Sequence, residues 1–370
     1  MTRPIPLVDL GIQRDRIAAE VTEGIAGVLA ATAFIGGPDV ATFEREYAEH
    51  EGRRHCIGVA NGTDALELAL RAAGIGAGDA VAVPANTFVA TAEAVVRAGA
   101  EPVLVDVDDE HLLMNPDALA TVAAHCRAAL PVHLFGQLAP MERIAAVGAE
   151  QDLLVLEDAA QCQGATQHGA GAGSAGVAAA TSFYPGKNLG AYGDAGAVVT
   201  DDDGIAERVR LLSAHGSPTK YAHPVLGFNS RLDTLQAVVL RAKLARLDEW
   251  NAERQLAADT YAELLKDAPG LRLPSAAPGN RHVWHLYVVR VPDRDVVLAE
   301  LNDAGIGAGI HYPTPVHLTG AFSQLGRDGD FPVAERAARE ILSLPLYPGI
   351  AREQQERVAD VLREAVARRG

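Results

Sequence analysis

The chain has 370 residues, of which 48% are hydrophobic and 22% charged, and a formal net charge of −16 at pH 7. That length predicts a large core split over two domains. The acidic balance argues against a binder of nucleic-acid backbones or anionic lipid, so any phosphorylated ligand must be met by local donors and helix termini.

Met1 to Asp9 shows no basic region followed by a long apolar run, and no apolar stretch reaches membrane-spanning length. Cys56, Cys126 and Cys162 lie far apart without metal-site spacing, which predicts reduced thiols, a cytoplasmic setting and no metal.

Along the chain, Cys56–Ala60, Ala80–Val83, Pro102–Val105, Leu130–Leu134 and Leu153–Leu156 read as buried strands. Between them Asp64–Ala73, Ala90–Ala98, Pro116–Cys126 and Pro140–Gly148 read as helices. Such alternation predicts an α/β fold with a mostly parallel sheet flanked by helices. Leu235 to Asp267 carries few breakers and reads as one long helical stretch ending at Pro269-Gly270. Beyond it Val283–Val291 reads as a strand, Asp295–Asp303 and Arg352–Arg368 as helices. This divides the chain into a large domain, 1–245, and a smaller α+β domain, 246–370.

Four stretches carry chemistry, three of them at strand ends, where open α/β sheets bind ligands. Asn61-Gly62-Thr63-Asp64-Ala65-Leu66 opens a helix, with Asp64 and Glu67 at the spacing of a capping pair. Gly62 lets a ligand approach the backbone, the Thr63 hydroxyl adds a donor, and free helix-start N–H groups favour an anion; an ordinary capped helix has the same pattern. Pro84-Ala85-Asn86-Thr87-Phe88 supplies an aromatic ring, for stacking on a planar group or for the core. Glu157-Asp158-Ala159-Ala160-Gln161 puts carboxylates at a buried strand end, where they need a positive partner such as a protonated pyridine nitrogen; Asp158 could equally cap a helix. Gln161 has a donor and an acceptor for an aromatic oxygen.

The fourth stretch, Ser182-Phe183-Tyr184-Pro185-Gly186-Lys187-Asn188-Leu189-Gly190, holds the only lysine before Lys220. Between a Pro-Gly pair and a glycine turn, Lys187 can serve as a Schiff-base lysine or as a surface charge. Ser182 offers a hydroxyl to phosphate. An anion cradle, an aromatic plate, an acid for a ring nitrogen and a Schiff-base lysine are together the parts of a pyridoxal 5′-phosphate (PLP) site.

The ordered set of motifs resembles the DegT/DnrJ/EryC1/StrS family of sugar aminotransferases, almost end to end. It runs through Phe34-Ile35-Gly36-Gly37-Pro38, the stretch from Asn61, Val132-His133-Leu134-Phe135-Gly136-Gln137, the stretches around Asp158 and Lys187, Gly227-Phe228-Asn229-Ser230-Arg231-Leu232-Asp233 and His311-Tyr312-Pro313. The resemblance implies an aspartate-aminotransferase-like fold (fold type I) and PLP bound through Lys187. It also implies Asp158 facing the pyridine nitrogen, Gln161 near the ring hydroxyl, Gly62, Thr63 and Ser182 at the phosphate, and Phe88 stacked on the ring. Asn229 would reach the phosphate of the neighbouring subunit, which implies a homodimer with shared active sites. Cys162-Gln163-Gly164 replaces a frequent Ala-His-Gly, and Asn61 a frequent serine, without removing a needed role. Family dehydratases carry histidine in place of the lysine; here the lysine is present.

The resemblance further implies a cycle in which L-glutamate donates the amine and a nucleotide-linked keto sugar receives it. His215-Gly216-Ser217-Pro218-Thr219-Lys220-Tyr221 looks like members that aminate C3 of dTDP-3-keto-6-deoxyhexoses. A C4-keto sugar, a cyclitol ketone or a catalytically idle homologue are the alternatives. Tyr184, Lys220, Tyr221, His311 and Tyr312 are the candidates for substrate contact.

Overall fold

The computed structural model describes residues 3–369. Two helices lead the chain, α1 (Leu10–Ala31), capped by the Asp9 carboxylate, and α2 (Pro38–Glu51). There follow β1 (His55–Val59), α3 (Gly62–Ala72), β2 (Ala80–Pro84), α4 (Val89–Ala98), β3 (Glu101–Val105), α5 (Pro116–Val122), β4 (Ala128–Ala129), α6 (Met141–Gln151) and β5 (Leu154–Asp158). After the short β6 (Thr166–Gln167) come β7 (Ala178–Ser182), β8 (Gly196–Thr200), α7 (Asp203–Ser213), α8 (Thr234–Leu244) and α9 (Leu247–Leu265). The last part holds β9 (Asn280–Arg281), β10 (Tyr287–Arg290), α10 (Arg294–Asp303), α11 (Pro332–Glu340), β11 (Ile341–Leu344) and α12 (Arg352–Ala367).

The central sheet has seven strands in the order β1-β8-β7-β5-β4-β2-β3. Its pairs are parallel except those of β8, which runs antiparallel to β7 and β1. The mostly parallel sheet and its helical cover stand as the alternation predicted. Strands such as β8, buried at every position, need apolar residues on both faces, which is why they read as unbroken apolar runs.

Three expected elements differ. The strand placed at Leu130–Leu134 is only Ala128–Ala129, because Pro131 has no N–H for the ladder and the chain then turns tightly through Leu134–Gly136, with Phe135 at φ 61°. The long helix breaks at Ala245-Arg246. The Arg246 N–H closes a tight turn on the Lys243 carbonyl, and its guanidinium spans Glu20 of α1 and the Ala242 carbonyl. No proline or glycine marks that break. The strand expected over Val283–Val291 is Tyr287–Arg290 alone; Val283 and Leu286 instead donate their N–H groups to Gly136 and Phe135.

Two main apolar cores result. One surrounds the large sheet, from Phe43 and Val59 to Val283 and Phe322. The other joins α9, α10, α12, β10 and β11, and takes in Ile5, whose backbone pairs with the Ile306 segment. The N-terminal segment therefore packs with the C-terminal core. Among the described residues no helix is long and apolar enough to cross a membrane.

Candidate active site

A cavity of about 540 Å³ opens beyond the carboxyl ends of the sheet. From the strand ends it receives Gly62, Thr63, Phe88, Asp158, Gln161 and Ser182. Tyr184 and Lys187 enter from the loop after β7, and His311 and Tyr312 from the C-terminal part.

The start of α3 is fixed by close packing. A Cβ on Gly62 would lie 2.6 Å from the Ser182 Cβ, and one on Gly196 would lie 2.5 Å from the Asn61 carbonyl carbon, so only glycine fits either place. Asn61, not the Asp64/Glu67 pair, caps the helix, accepting the Asp64 N–H at 2.8 Å. Glu67 is occupied by Arg71 and Arg97 instead. Among the described residues the N–H groups of Gly62 and Thr63 have no acceptor. The Ser182 oxygen accepts the Tyr184 N–H, which leaves its own hydrogen for a ligand.

The two acids at the end of β5 have separate tasks. Glu157 points away from the cavity and accepts from His133 Nε2 at 2.9 Å and from the Gly173 and Gly176 N–H groups at 2.8 Å. The Ala139 N–H donates to His133 Nδ1, so Nε2 carries the hydrogen. Burial opposes the Glu157 charge, yet His133 and the two backbone donors outweigh it and hold the carboxyl below its usual range. Asp158 faces the cavity; burial pushes its carboxyl up, against hydrogen bonds from Thr91 and the Ala160 N–H. It does not cap a helix.

Lys187 lies half-buried on the cavity wall, and its Nζ has no hydrogen-bond acceptor among the described residues. Burial pushes its amine down to about 8, with the Asp158 charge pulling the other way. An amine in this state is half unprotonated at about pH 8, far below an ordinary lysine, as a nucleophile and proton carrier needs. The next residue, Asn188, donates to the Asn251 side chain and the Val283 carbonyl at 2.9 and 2.8 Å. Its oxygen can then only accept, so His285 donates from Nδ1 and is held as a fixed tautomer on the cavity wall. Burial, then the Lys187 charge, lowers the His285 imidazole well below its ordinary value.

Gln161 accepts the Phe135 N–H at 3.0 Å, which turns its amide nitrogen to the Tyr312 hydroxyl at 3.1 Å. Tyr312 also packs on Phe88, ring centroids 5.1 Å apart, and His311 Nδ1 meets the Ser343 hydroxyl at 2.8 Å. Phe88 is half exposed rather than a core residue. Lys220, Tyr221 and Asn229 stay outside this cavity, on an exposed segment of their own chain. Thr87, Thr91 and His285 were not singled out from the sequence. Thr91 sits one helical turn after Thr87 behind a strand end, which is the one signal available for it.

The donor set fits PLP. Two free N–H groups at a helix start and two hydroxyls suit a phosphate. An ionised, donor-satisfied Asp158 suits a cationic ring nitrogen, and an unpartnered amine suits an aldehyde. Among the described residues no cluster suits a metal ion.

A sequence model of the DegT/DnrJ/EryC1/StrS aminotransferase family matches residues 15–363. A dTDP-3-amino-3,4,6-trideoxy-alpha-D-glucose transaminase of Streptomyces venezuelae is 44% identical, over 98% of this chain and 96% of its own. The crystal structure of S. venezuelae DesV in complex with a ketimine intermediate is also 44% identical, with TM-score 0.96 and 98% of each chain covered. NtdA from Bacillus subtilis with bound cofactor PMP is 30% identical, with TM-score 0.91, covering 99% of this chain and 86% of that one.

Proposed function

The chain belongs to the DegT/DnrJ/EryC1/StrS aminotransferase family, and on that premise we propose that it moves an amino group from L-glutamate to C3 of a dTDP-linked 3-keto-6-deoxyhexose. It is a PLP-dependent aminotransferase of the α/β fold type I. The observation that carries the reading is the convergence, in one cavity, of the unpartnered Lys187 amine, the doubly hydrogen-bonded Asp158 and the open α3 N-terminus. The C3 position is supported by the S. venezuelae relative, whose name places its amine there.

PLP held in this cavity would supply an electron sink for the carbon–hydrogen bond at the substrate carbon that carries the amine. The Gly62 and Thr63 N–H groups, with the Thr63 and Ser182 hydroxyls, would hold its phosphate at the helix start. Asp158 would keep a proton on the ring nitrogen, Gln161 would meet the ring hydroxyl, and Phe88 would stack on the ring. Lys187 would anchor the aldehyde. Once released, its amine takes the proton from the α-carbon of glutamate and, in the second half of the cycle, delivers one to the sugar carbon that becomes C3–H. Glutamate leaves as 2-oxoglutarate. Tyr184, His311 and Tyr312 meet the substrate; their position on the cavity wall supports this.

Asn229, Lys220 and Tyr221 act on the neighbouring subunit's cavity in a homodimer. Their exposure in the single chain supports this, with Tyr221 at 83% and the adjoining Leu226 at 95%. The chain divides into two domains near the break between α8 and α9, and its free thiols suit the cytoplasm.

The test is to assay purified protein, with L-glutamate, on dTDP-3-keto- and dTDP-4-keto-6-deoxyglucose side by side. The reading expects a yellow protein whose absorbance shifts on adding glutamate, and turnover of the 3-keto sugar. Turnover of the 4-keto sugar alone would overturn the C3 assignment; colourless protein that gains nothing from added PLP would overturn the enzyme reading.

A further inference from the structure

Behind Asp158 lie two threonines on the N-terminal side of α4. Thr91 Oγ1 is 2.8 Å from Asp158 Oδ2, and Thr87 Oγ1 is 2.8 Å from Thr91 Oγ1. Thr87, Thr91 and Asp158 are 2%, 0% and 4% exposed, so bulk water does not compete for these bonds. An ionised carboxylate only accepts, so the single Thr91 hydrogen goes to Asp158. The Thr91 oxygen then accepts the Thr87 hydrogen, and the chain runs one way: Thr87 to Thr91 to Asp158. The other oxygen, Oδ1, accepts the Ala160 N–H at 3.1 Å.

We propose that Thr87 and Thr91 form a directional hydroxyl relay that keeps the shared proton on the cofactor ring nitrogen rather than on Asp158. Both threonines line the cavity, but they act through Asp158 and are positioning residues. The inference rests on the reading of Asp158 as the partner of the ring nitrogen. A carboxylate facing a pyridinium can take its proton and become a neutral acid, and burial favours that transfer by penalising separated charges. A donor aimed at the carboxylate stabilises its ionised form and opposes the transfer. A second hydroxyl, donating to the first, polarises it and strengthens the effect. Each oxygen of Asp158 thus has one protein donor and keeps acceptor capacity for the ring N–H. The relay makes Asp158 a weaker proton acceptor without removing its charge. The electron sink needs a protonated ring, and hydroxyls supply this stabilisation without adding a competing cation.

The test uses holoenzyme carrying PLP labelled with nitrogen-15 in its ring, whose resonance reports directly where that proton sits. Wild type, Thr91→Val, Thr91→Ser, Thr87→Val and Asp158→Asn are compared at neutral pH. In Thr91→Val, which keeps the side-chain shape and removes the donor, the resonance moves part of the way from the pyridinium toward the pyridine position. The PLP dissociation constant rises about tenfold, as expected for losing a hydrogen bond to a buried charge. Thr91→Ser restores both readouts, and Thr87→Val moves the resonance the same way by less. Asp158→Asn moves it furthest. A wild-type resonance in Thr91→Val, with Asp158→Asn shifted, would overturn the relay and leave the Asp158 reading standing. An unshifted Asp158→Asn would overturn that reading and the relay together. If Thr91→Val does not fold, Thr87→Val decides alone, a shift supporting the relay and its absence overturning it.

Discussion

On the cavity floor Asp158 has a donor on each carboxylate oxygen, and behind it Glu157 accepts three further bonds from its own chain. In the segment from His215 to Asn229 the side chains of Lys220, Tyr221 and Leu226 stand out from the protein, and none reaches that chain's own cavity. The floor is complete within one chain. The segment has no comparable set of partners in its own chain, and a second copy is the partner proposed for it. The difference separates two kinds of functional residue: those whose task is set by neighbours already in contact, and those whose neighbours arrive on assembly.

Breaking the floor has the largest consequence. Lys187→Ala should lower turnover by about 10⁴-fold or more, the size expected when a general acid–base group and covalent anchor are lost together. The loss should not depend on protein concentration, since the residue and its cavity share one chain. Multiple turnovers at a rate near that of wild type would remove Lys187 from the mechanism. A finer check comes from its lowered amine. Only the neutral amine attacks an aldehyde, so the rate at which apoprotein captures PLP should rise with pH and level off above about 8. A rate still climbing at pH 10 would mean an ordinary lysine.

Next in size is the support beneath the floor. His133→Leu leaves the buried Glu157 carboxylate short of its side-chain donor and should cost about 3 kcal/mol of stability in urea unfolding. The sign with pH follows. Glu157 is held below the usual carboxyl range in the folded chain, so its contribution is present above the unfolded value and fades as pH falls through the folded one. Wild type should lose stability on acidification more steeply than Glu157→Gln; parallel curves would show that the pair contributes nothing. Truncating Leu226, fully exposed in the single chain, should leave the chain's folding unchanged and weaken association alone.

Much of the floor was legible because its residues sit beside strand ends, where a run of apolar residues stops and polar ones follow at once. Lys187, Asp158 and Gln161 could be read that way, as could the mostly parallel sheet. What the chain could not show is what depends on packing between distant segments. His285 reaches the cavity because the chain from Val283 to Leu286 bonds to the turn at Phe135, a pairing across some 150 positions that no local pattern announces. Thr91 looked like any helical threonine, since its significance lies in the Asp158 oxygen 67 positions later in sequence. The break after α8 was hidden for a similar reason: Arg246, which stands at it, reaches Glu20 far back in the chain, and no helix breaker marks it.

The shared-site arrangement can be tested by mixing. Asn229→Ala should weaken PLP binding about tenfold through loss of one phosphate hydrogen bond. A dimer of one Asn229→Ala chain and one Lys187→Ala chain would contain one intact site, built from the lysine of the first and the asparagine of the second. Random mixing at limiting PLP should therefore recover about a quarter of wild-type activity, as half the dimers are mixed and half their sites intact. No gain above the two variants alone would return Asn229 to its own chain.

The smallest effect belongs to Lys220, one of only four lysines in the chain and the clearest contrast to Lys187. Its Nζ lies 5.1 Å from the centre of the exposed Tyr221 ring, a contact worth little where water surrounds both groups. If it meets the nucleotide diphosphate of a substrate bound in the neighbouring subunit, it does so as a partly screened point charge. Lys220→Gln should then raise KM for the nucleotide sugar about threefold and leave kcat and the glutamate half-reaction unchanged. The difference from wild type should shrink as salt is raised, because screening already removes most of what the substitution removes. An equal loss in kcat at every salt concentration would point instead to a transition-state contact, and would place Lys220 with the residues of the floor.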